Sequence, residues 1–244
     1  MDYRNFKLDT QWNMIHYPYK PNGFGILILG DERHFVEEKN SFWMQNEGKR
    51  MLLENWRQCG YTIFYSNLYG LNWGSDKAVD LAKGLLAHVK RNEILNGKIH
   101  VVAEGMGALT ALKLISSGMD IRSLLLINPI LSLGQHLQQE KEHKFFYKKL
   151  IKELSLSYQV DRGQVEAMFE DQGSMPEFSK DIPVRIIHIL AGSRGYRQSK
   201  LLNEYSIIWE KEKLPISVCY MVPEKKPHIG PLAIQFFRKH EQIL

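Results

Sequence analysis

Few residues in this 244-residue chain are placed to do chemistry, and the position that promises most carries no reactive group. Ala103-Glu104-Gly105-Met106-Gly107 follows Lys98-Ile99-His100-Val101-Val102, which has the character of a buried strand. It precedes Ala108-Leu109-Thr110-Ala111-Leu112, which has that of a helix. A small-x-Ser-x-small pentapeptide at such a strand-to-helix turn projects a hydroxyl for nucleophilic attack. Small residues are needed on both sides because the two backbones crowd there, and Ala103 and Gly107 meet that need. The central residue is Gly105, which tolerates strained dihedrals and supplies no oxygen. Other candidate groups carry less. Cys59 and Cys219 are far apart with no CxxC or His-spaced pattern, and His136 and His143 lack a metal-type arrangement, so no metal site is expected.

The elements that must hold this turn are legible as alternating strands and helices. Phe24-Gly25-Ile26-Leu27-Ile28-Leu29 is the first clear strand and ends at Gly30. A helix is expected over 48–58, stopped by Cys59-Gly60, and then Tyr61-Thr62-Ile63-Phe64-Tyr65 forms a strand. A helix follows over 76–91, then the strand and helix around Gly105, then the strand Ser123-Leu124-Leu125-Leu126-Ile127. The last strands are expected over 183–190 and 216–222, with a helix over 200–211 between them and a closing helix from near Pro231. Continuous apolar runs separated by helices predict a mostly parallel sheet covered on both faces, an α/β class. From 132 to 181 the texture turns polar and helical, over 135–153 and 163–170, and no strand is expected there.

The order of these elements and four short stretches resemble the α/β-hydrolase superfamily, particularly its serine esterases, lipases and aminopeptidase-like peptidases. Ile28-Leu29-Gly30-Asp31 is similar to the His-Gly loop that lends a backbone N–H to the oxyanion hole, with Leu29 in place of histidine. The stretch from Asn67 to Ser75 resembles the family's Asp-x-x-Gly-x-Gly-x-Ser segment, and Ala103-Glu104-Gly105-Met106-Gly107 its nucleophile elbow. Pro227-His228-Ile229-Gly230 resembles the loop that bears the catalytic histidine. The likeness covers 22–131 and 182–240. It implies one α/β-hydrolase domain over 1–244, with 132–181 as a helical lid inserted in it. It also implies that Gly105 stands at the nucleophile position. Gly195, in Gly192-Ser193-Arg194-Gly195-Tyr196, then stands at the acid position, and only His228 remains as a candidate base. Gly30, Asp31 and Met106 are the candidate ligand contacts, around a pocket at the strand C-termini between Gly30, Gly105 and His228.

Two functions stay open. One is a non-catalytic protein that binds a small ligand or a protein partner, since triad members act as a unit and two of three are missing. The other is a weak or unusual hydrolase of ester-like molecules in which His228 activates water. A different nucleophile, such as Ser193 or Ser75, would change the assignment. Asp31 and Glu32 read as lining the pocket mouth or, the commoner outcome for such residues, as solvated loop acids. For Glu104, beside the elbow centre, the resemblance implies a side chain that points away from the pocket. Arg194 and Arg197 read as surface arginines or contacts for an anion. Phe145, Phe146, Leu150 and Ile151 read as a helix packed on its own domain or as a cover for a ligand, and Trp73 and Tyr69 as local packing.

The bulk numbers fit this picture. Hydrophobic residues make up 44% and charged residues 24%, enough for a sizeable core. The net charge of +5 is spread along the chain rather than clustered, so no nucleic-acid partner is expected. No apolar stretch reaches the roughly 18 residues that span a bilayer, and Met1-Asp2-Tyr3-Arg4-Asn5-Phe6-Lys7 has no signal core. A cytoplasmic protein without cofactor or membrane partner is expected, and its oligomeric state is not fixed by the sequence.

Overall fold

A computed structural model describes residues 2–170 and 175–241; the side chains of 170 and 193–198 lie outside that description. Eight strands form one sheet: β1 (Tyr3–Leu8), β2 (Gln11–His16), β3 (Gly25–Leu29), β4 (Thr62–Ser66), β5 (Ile99–Glu104), β6 (Ile121–Ile127), β7 (Val184–Ile189) and β8 (Ile216–Met221). Their spatial order is β1-β2-β4-β3-β5-β6-β7-β8. β1 and β2 join antiparallel, β2 joins β4 antiparallel, and every later pair is parallel. The sheet is mostly parallel, with β5 near its middle.

The helices are α1 (Phe42–Gln45), α2 (Glu47–Gln58), α3 (Asp76–Asn92), α4 (Gly107–Ser116), α5 (Leu133–Glu140), α6 (Lys144–Tyr158), α7 (Val165–Glu170), α8 (Gly192–Lys211) and α9 (Ile229–Lys239). Alternation along each strand sends successive side chains to opposite faces. Leu27, Leu29, Val101 and Ala103 pack under α3, α4 and α8, against residues such as Leu85, Leu114 and Trp209. Ile26, Ile28 and Val102 pack under α1, α2 and α9, against Trp43, Trp56 and Phe237. Helices cover both faces, so the central strands β3 to β6 are largely apolar.

Two sequence expectations need adjustment, and one element was not expected. The N-terminal hairpin β1–β2 has no long apolar run to announce it. Arg4, Asn5 and Lys7 punctuate an edge strand, and β2 buries Asn13 and His16 among its apolar residues. Its turn is set by Asp9 at φ 51°. The expected helix over 135–153 is two helices, because the polar stretch Lys141-Glu142-His143 breaks it and His143, at φ −120°, starts α6 afresh. The helix expected over 200–211 begins at Gly192. That glycine turns the chain at φ 62°, and no proline stops the helix between it and residue 200.

Of the buried histidines, His16, His34 and His100 lie beside the core. His34 donates its Nε2 hydrogen to the Ser66 carbonyl at 2.8 Å, and His16 Nε2 meets the Tyr65 hydroxyl at 2.6 Å. His100 Nδ1 meets the Ser123 hydroxyl at 2.7 Å. Burial lowers all three, His16 to about 3 and His34 to about 4. An unfolded chain protonates its histidines near the ordinary value of about 6.5, so below that pH the unfolded state binds more protons. Stability is therefore complete above about pH 6.5 and falls as pH drops toward the folded values. Urea titration is expected to show a loss of roughly 4–6 kcal/mol between pH 7 and pH 5. A midpoint unchanged over that range would show that the histidines are not held neutral.

Candidate functional site

The strand-to-helix turn forms where the sequence places it. β5 ends at Glu104 and α4 starts at Gly107. Gly105 between them has φ +51°, in the left-handed region that glycine adopts without strain. Its N–H donates to the Ile127 carbonyl at 3.1 Å, and its own carbonyl accepts from the Ile130 N–H at 2.9 Å, so the turn is pinned to the end of β6. Gly107 is required by packing alone, because a Cβ there would lie 2.3 Å from the Leu29 carbonyl oxygen. The segment before α3 crosses close by, and a Cβ on Gly74 would come within 2.6 Å of Leu109 Cβ.

The space above Gly105 is filled by a carboxylate. A Cβ built on Gly105 would sit 1.9 Å from Asp31 Oδ1 and 2.4 Å from Oδ2. Asp31 Oδ1 also accepts the backbone N–H of Met106 at 3.0 Å. The residue after the nucleophile position is the one whose N–H serves an oxyanion hole in this kind of turn. The Asp31 carboxylate thus occupies the N–H at that position of the turn. It also sits at the N-terminus of α4, whose own capping residue, Met106, gives no side-chain hydrogen bond. Asp31 caps α4 from another loop.

Of the residues singled out by sequence, Gly30, Asp31, Gly105 and Met106 come together. Gly30 packs on His34, whose Cγ would be 2.2 Å from a Cβ there, and the Gly30 carbonyl approaches Gly107. His228 is not brought to them. It closes a short 3-10 turn (Pro223–His228), is exposed, and lines a separate surface cleft with Tyr220, Lys225 and Gln235. The expected pocket between Gly30, Gly105 and His228 is replaced by two separate places. Gly195 lies in the first turns of α8 rather than in a turn after β7. The side chains of Ser193, Arg194 and Arg197 lie outside the described residues. Ser75 is buried ahead of α3.

Over 132–181, α5, α6 and α7 close down on the turn. Met106 and Trp73 join Leu133, Leu137, Leu150, Leu154 and Phe169 in one apolar cluster. Trp73 Nε1 donates to Glu153 Oε2 at 3.0 Å, the Tyr158 hydroxyl donates to the Trp73 carbonyl at 2.9 Å, and His136 stacks on the indole at 5.6 Å. Leu150 is buried in that cluster and Ile151 packs on it, while Phe145 and Phe146 stay exposed. Tyr69 packs against the main core, and its hydroxyl donates to Asp9 Oδ2 at 2.5 Å.

The open space lies on the other side of β5. Glu104, in phase with His100 and Val102, points to the α2 side and pairs with Lys49 Nζ at 2.5 Å. Lys49 also lies 4.9 Å over the Trp43 ring. These two side chains line a cavity of about 390 Å³ at the strand C-termini, with Arg33, Lys226, Asn128 and Leu52 among its other walls. Asn128, at φ 45°, accepts the Ile189 N–H at 2.7 Å and ties β6 to β7 at the cavity edge. Sequence reasoning did not find Lys49, Arg33 or Lys226, which come from segments far apart in the chain. The period-2 phase of β5 was the available signal for the side to which Glu104 points. Among the described residues no group of three or more His, Cys, Asp or Glu side chains is placed to hold a metal.

No protein-family model matches the sequence, and no curated protein matches it. Solved structures do match the fold. Est1E from Butyrivibrio proteoclasticus superposes with a TM-score of 0.62 at 10% identity, covering 98% of both chains. Pyrococcus horikoshii acylaminoacyl peptidase gives 0.63 at 13% identity, with 99% of this chain spanning 42% of the peptidase. XC6422 from Xanthomonas campestris, described as a serine hydrolase of the α/β type without lid, gives 0.57 at 10% identity, covering 100% of this chain and 97% of the other. The chain has the α/β-hydrolase fold; identities this low carry the fold alone.

The Gly105–Asp31 contact makes a testable demand. Gly105→Ala is expected to cost about 1–3 kcal/mol, through overpacking and a positive φ. Adding Asp31→Gly is expected to remove part of that cost, a coupling above about 0.5 kcal/mol in a double-mutant cycle of urea midpoints. Strict additivity would show that the carboxylate does not stand over Gly105.

Proposed function

We propose that this chain is a non-catalytic binding protein built on the α/β-hydrolase fold, holding a small ligand or a protein partner at its strand ends. The observation that carries this reading is the Asp31 carboxylate, which stands where a Gly105 side chain would project and takes the Met106 N–H. Acyl transfer needs an attacking group, a base within hydrogen-bond reach of it, and donors free to meet the oxyanion. Gly105 lacks the first, His228 lies in a different cleft, and Asp31 uses the donor. The neighbours whose names mention peptidase or serine hydrolase lend the frame and not the activity.

The competing reading, water activated by His228, asks for an imidazole over Gly105. The exposed position of His228 and the filled space above the glycine weigh against it. Two free cysteines, Cys59 and Cys219, suit a reducing compartment, and we place the protein in the cytoplasm on that ground. Among the described residues no helix is long and apolar enough to cross a membrane.

Turnover of short p-nitrophenyl esters by the wild-type chain is expected not to exceed the buffer rate, and a fluorophosphonate probe is expected to label no serine. Gly105→Ser alone is expected to remain unlabelled, because its hydroxyl meets Asp31 and no imidazole. Wild-type turnover that disappears in His228→Ala would overturn the proposal, as would labelling of Ser75 or Ser193.

A further inference from the structure

We infer that the cavity beside Glu104 binds an amphipathic organic anion, an oxyanion head group carried on a short apolar body. This deepens the binding role proposed above and rests on it.

The charges point one way. Arg33, Lys49 and Lys226 line the cavity, and Glu104 is the one carboxylate among its lining residues. Glu104 is already paired with Lys49. Arg33 and Lys226, both exposed, have no acidic partner among the described residues. Three cations from three segments converge on a concave space, where a carboxylate or phosphate would be held by charge-assisted hydrogen bonds. The helix start beside them adds to the same field. α2 runs 12 residues from Glu47; Asn46 Oδ1 caps the Lys49 N–H, and Gly48 in that first turn faces the cavity. First-turn N–H groups of Glu47 and Gly48 have no acceptor within the helix.

The rest of the wall is apolar. Leu52, Ile127, Ile189 and Ile229 are each less than a tenth exposed and form the floor between α2 and the ends of β6 and β7. A volume of about 390 Å³ is in the range of small-molecule sites. A bare inorganic anion would leave that floor wet, and a neutral hydrocarbon would leave the cations without a counter-charge. An anion with an apolar tail satisfies both. The Lys49–Glu104 pair then acts as a competitor: Glu104 shares Lys49 with the incoming head group and repels it.

Titration of the isotopically labelled full chain with octanoate, 1-octanol and inorganic phosphate tests this. Octanoate is expected to bind and to shift the amide signals of Gly48, Glu104 and Asn128. Octanol and inorganic phosphate are each expected to bind about tenfold more weakly or worse. Arg33→Gln with Lys226→Gln should weaken octanoate about tenfold with the thermal midpoint unchanged, since both side chains are exposed. Glu104→Gln should tighten it about threefold or more, by freeing Lys49. Octanol binding as tightly as octanoate, shifts confined to another surface, weaker binding by Glu104→Gln, or no binding of octanoate at millimolar concentration would each overturn the inference. None of these results touches the non-catalytic reading, which fails only on ester turnover or probe labelling.

Discussion

The carboxylate of Asp31 on the Met106 N–H is the interaction on which the reading of this molecule depends. A helix that starts directly from a strand leaves its first N–H groups pointing at the strand ends, where anions are stabilised. A serine hydrolase keeps such donors for the charge that appears on a carbonyl oxygen as the nucleophile adds. Here the Asp31 carboxylate is already in place on the donor. A donor satisfied in the resting state offers no extra stabilisation to a transition state. The same contact supplies the capping bond that Met106, as the first residue before α4, does not give with its side chain.

Alternation along β5 then divides the strand ends into two unlike regions. Ala103 faces the α4 side, where α5, α6 and α7 press Met106 and Trp73 into a buried cluster. The indole is fixed there by Glu153 and Tyr158, so that side is sealed by directed hydrogen bonds as well as by apolar contact. Glu104 faces the α2 side, where the chain leaves room. Neither half of the Lys49–Glu104 pair is well hydrated, with side chains 15% and 19% exposed, so each depends on the other for its charge to be tolerated.

The sheet was largely legible because parallel strands buried on both faces are continuous apolar runs. The runs at 24–29, 61–65, 98–102 and 123–127 correspond to β3, β4, β5 and β6. The hairpin of β1 and β2 was not, since an edge strand interrupted by Arg4, Asn5 and Lys7 shows no such run, and its partner buries His16 by a hydrogen bond to Tyr65. At the site, Gly105 and Met106 could be named from local spacing because the turn is a local structure, and Asp31 from the resemblance of the stretch Ile28–Asp31 to a family loop. Lys49, Arg33 and Lys226 could not. Their meeting depends on how the loop after β3, the start of α2 and the turn after β8 fold over the sheet edge, and no local pattern records that. His228 illustrates the reverse error: its segment lies in the right place after the last strand, but a 3-10 turn directs the side chain outward.

The turn also separates what a motif says about backbone from what it says about chemistry. Gly107 is dictated by the Leu29 carbonyl and Gly74 by Leu109, and both contacts exist whether or not a reaction takes place. Gly105 is different. With φ at +51° and Asp31 over it, the position excludes a side chain for as long as the carboxylate is there, and a side chain at 105 would displace the carboxylate from the Met106 N–H. The two residues form an either/or pair. A hydroxyl at 105 requires a different residue or rotamer at 31, and only then is the donor free for an oxyanion. Small residues at the outer positions of the pattern therefore report backbone crowding, and the activity has to be judged at 31 and 105 together.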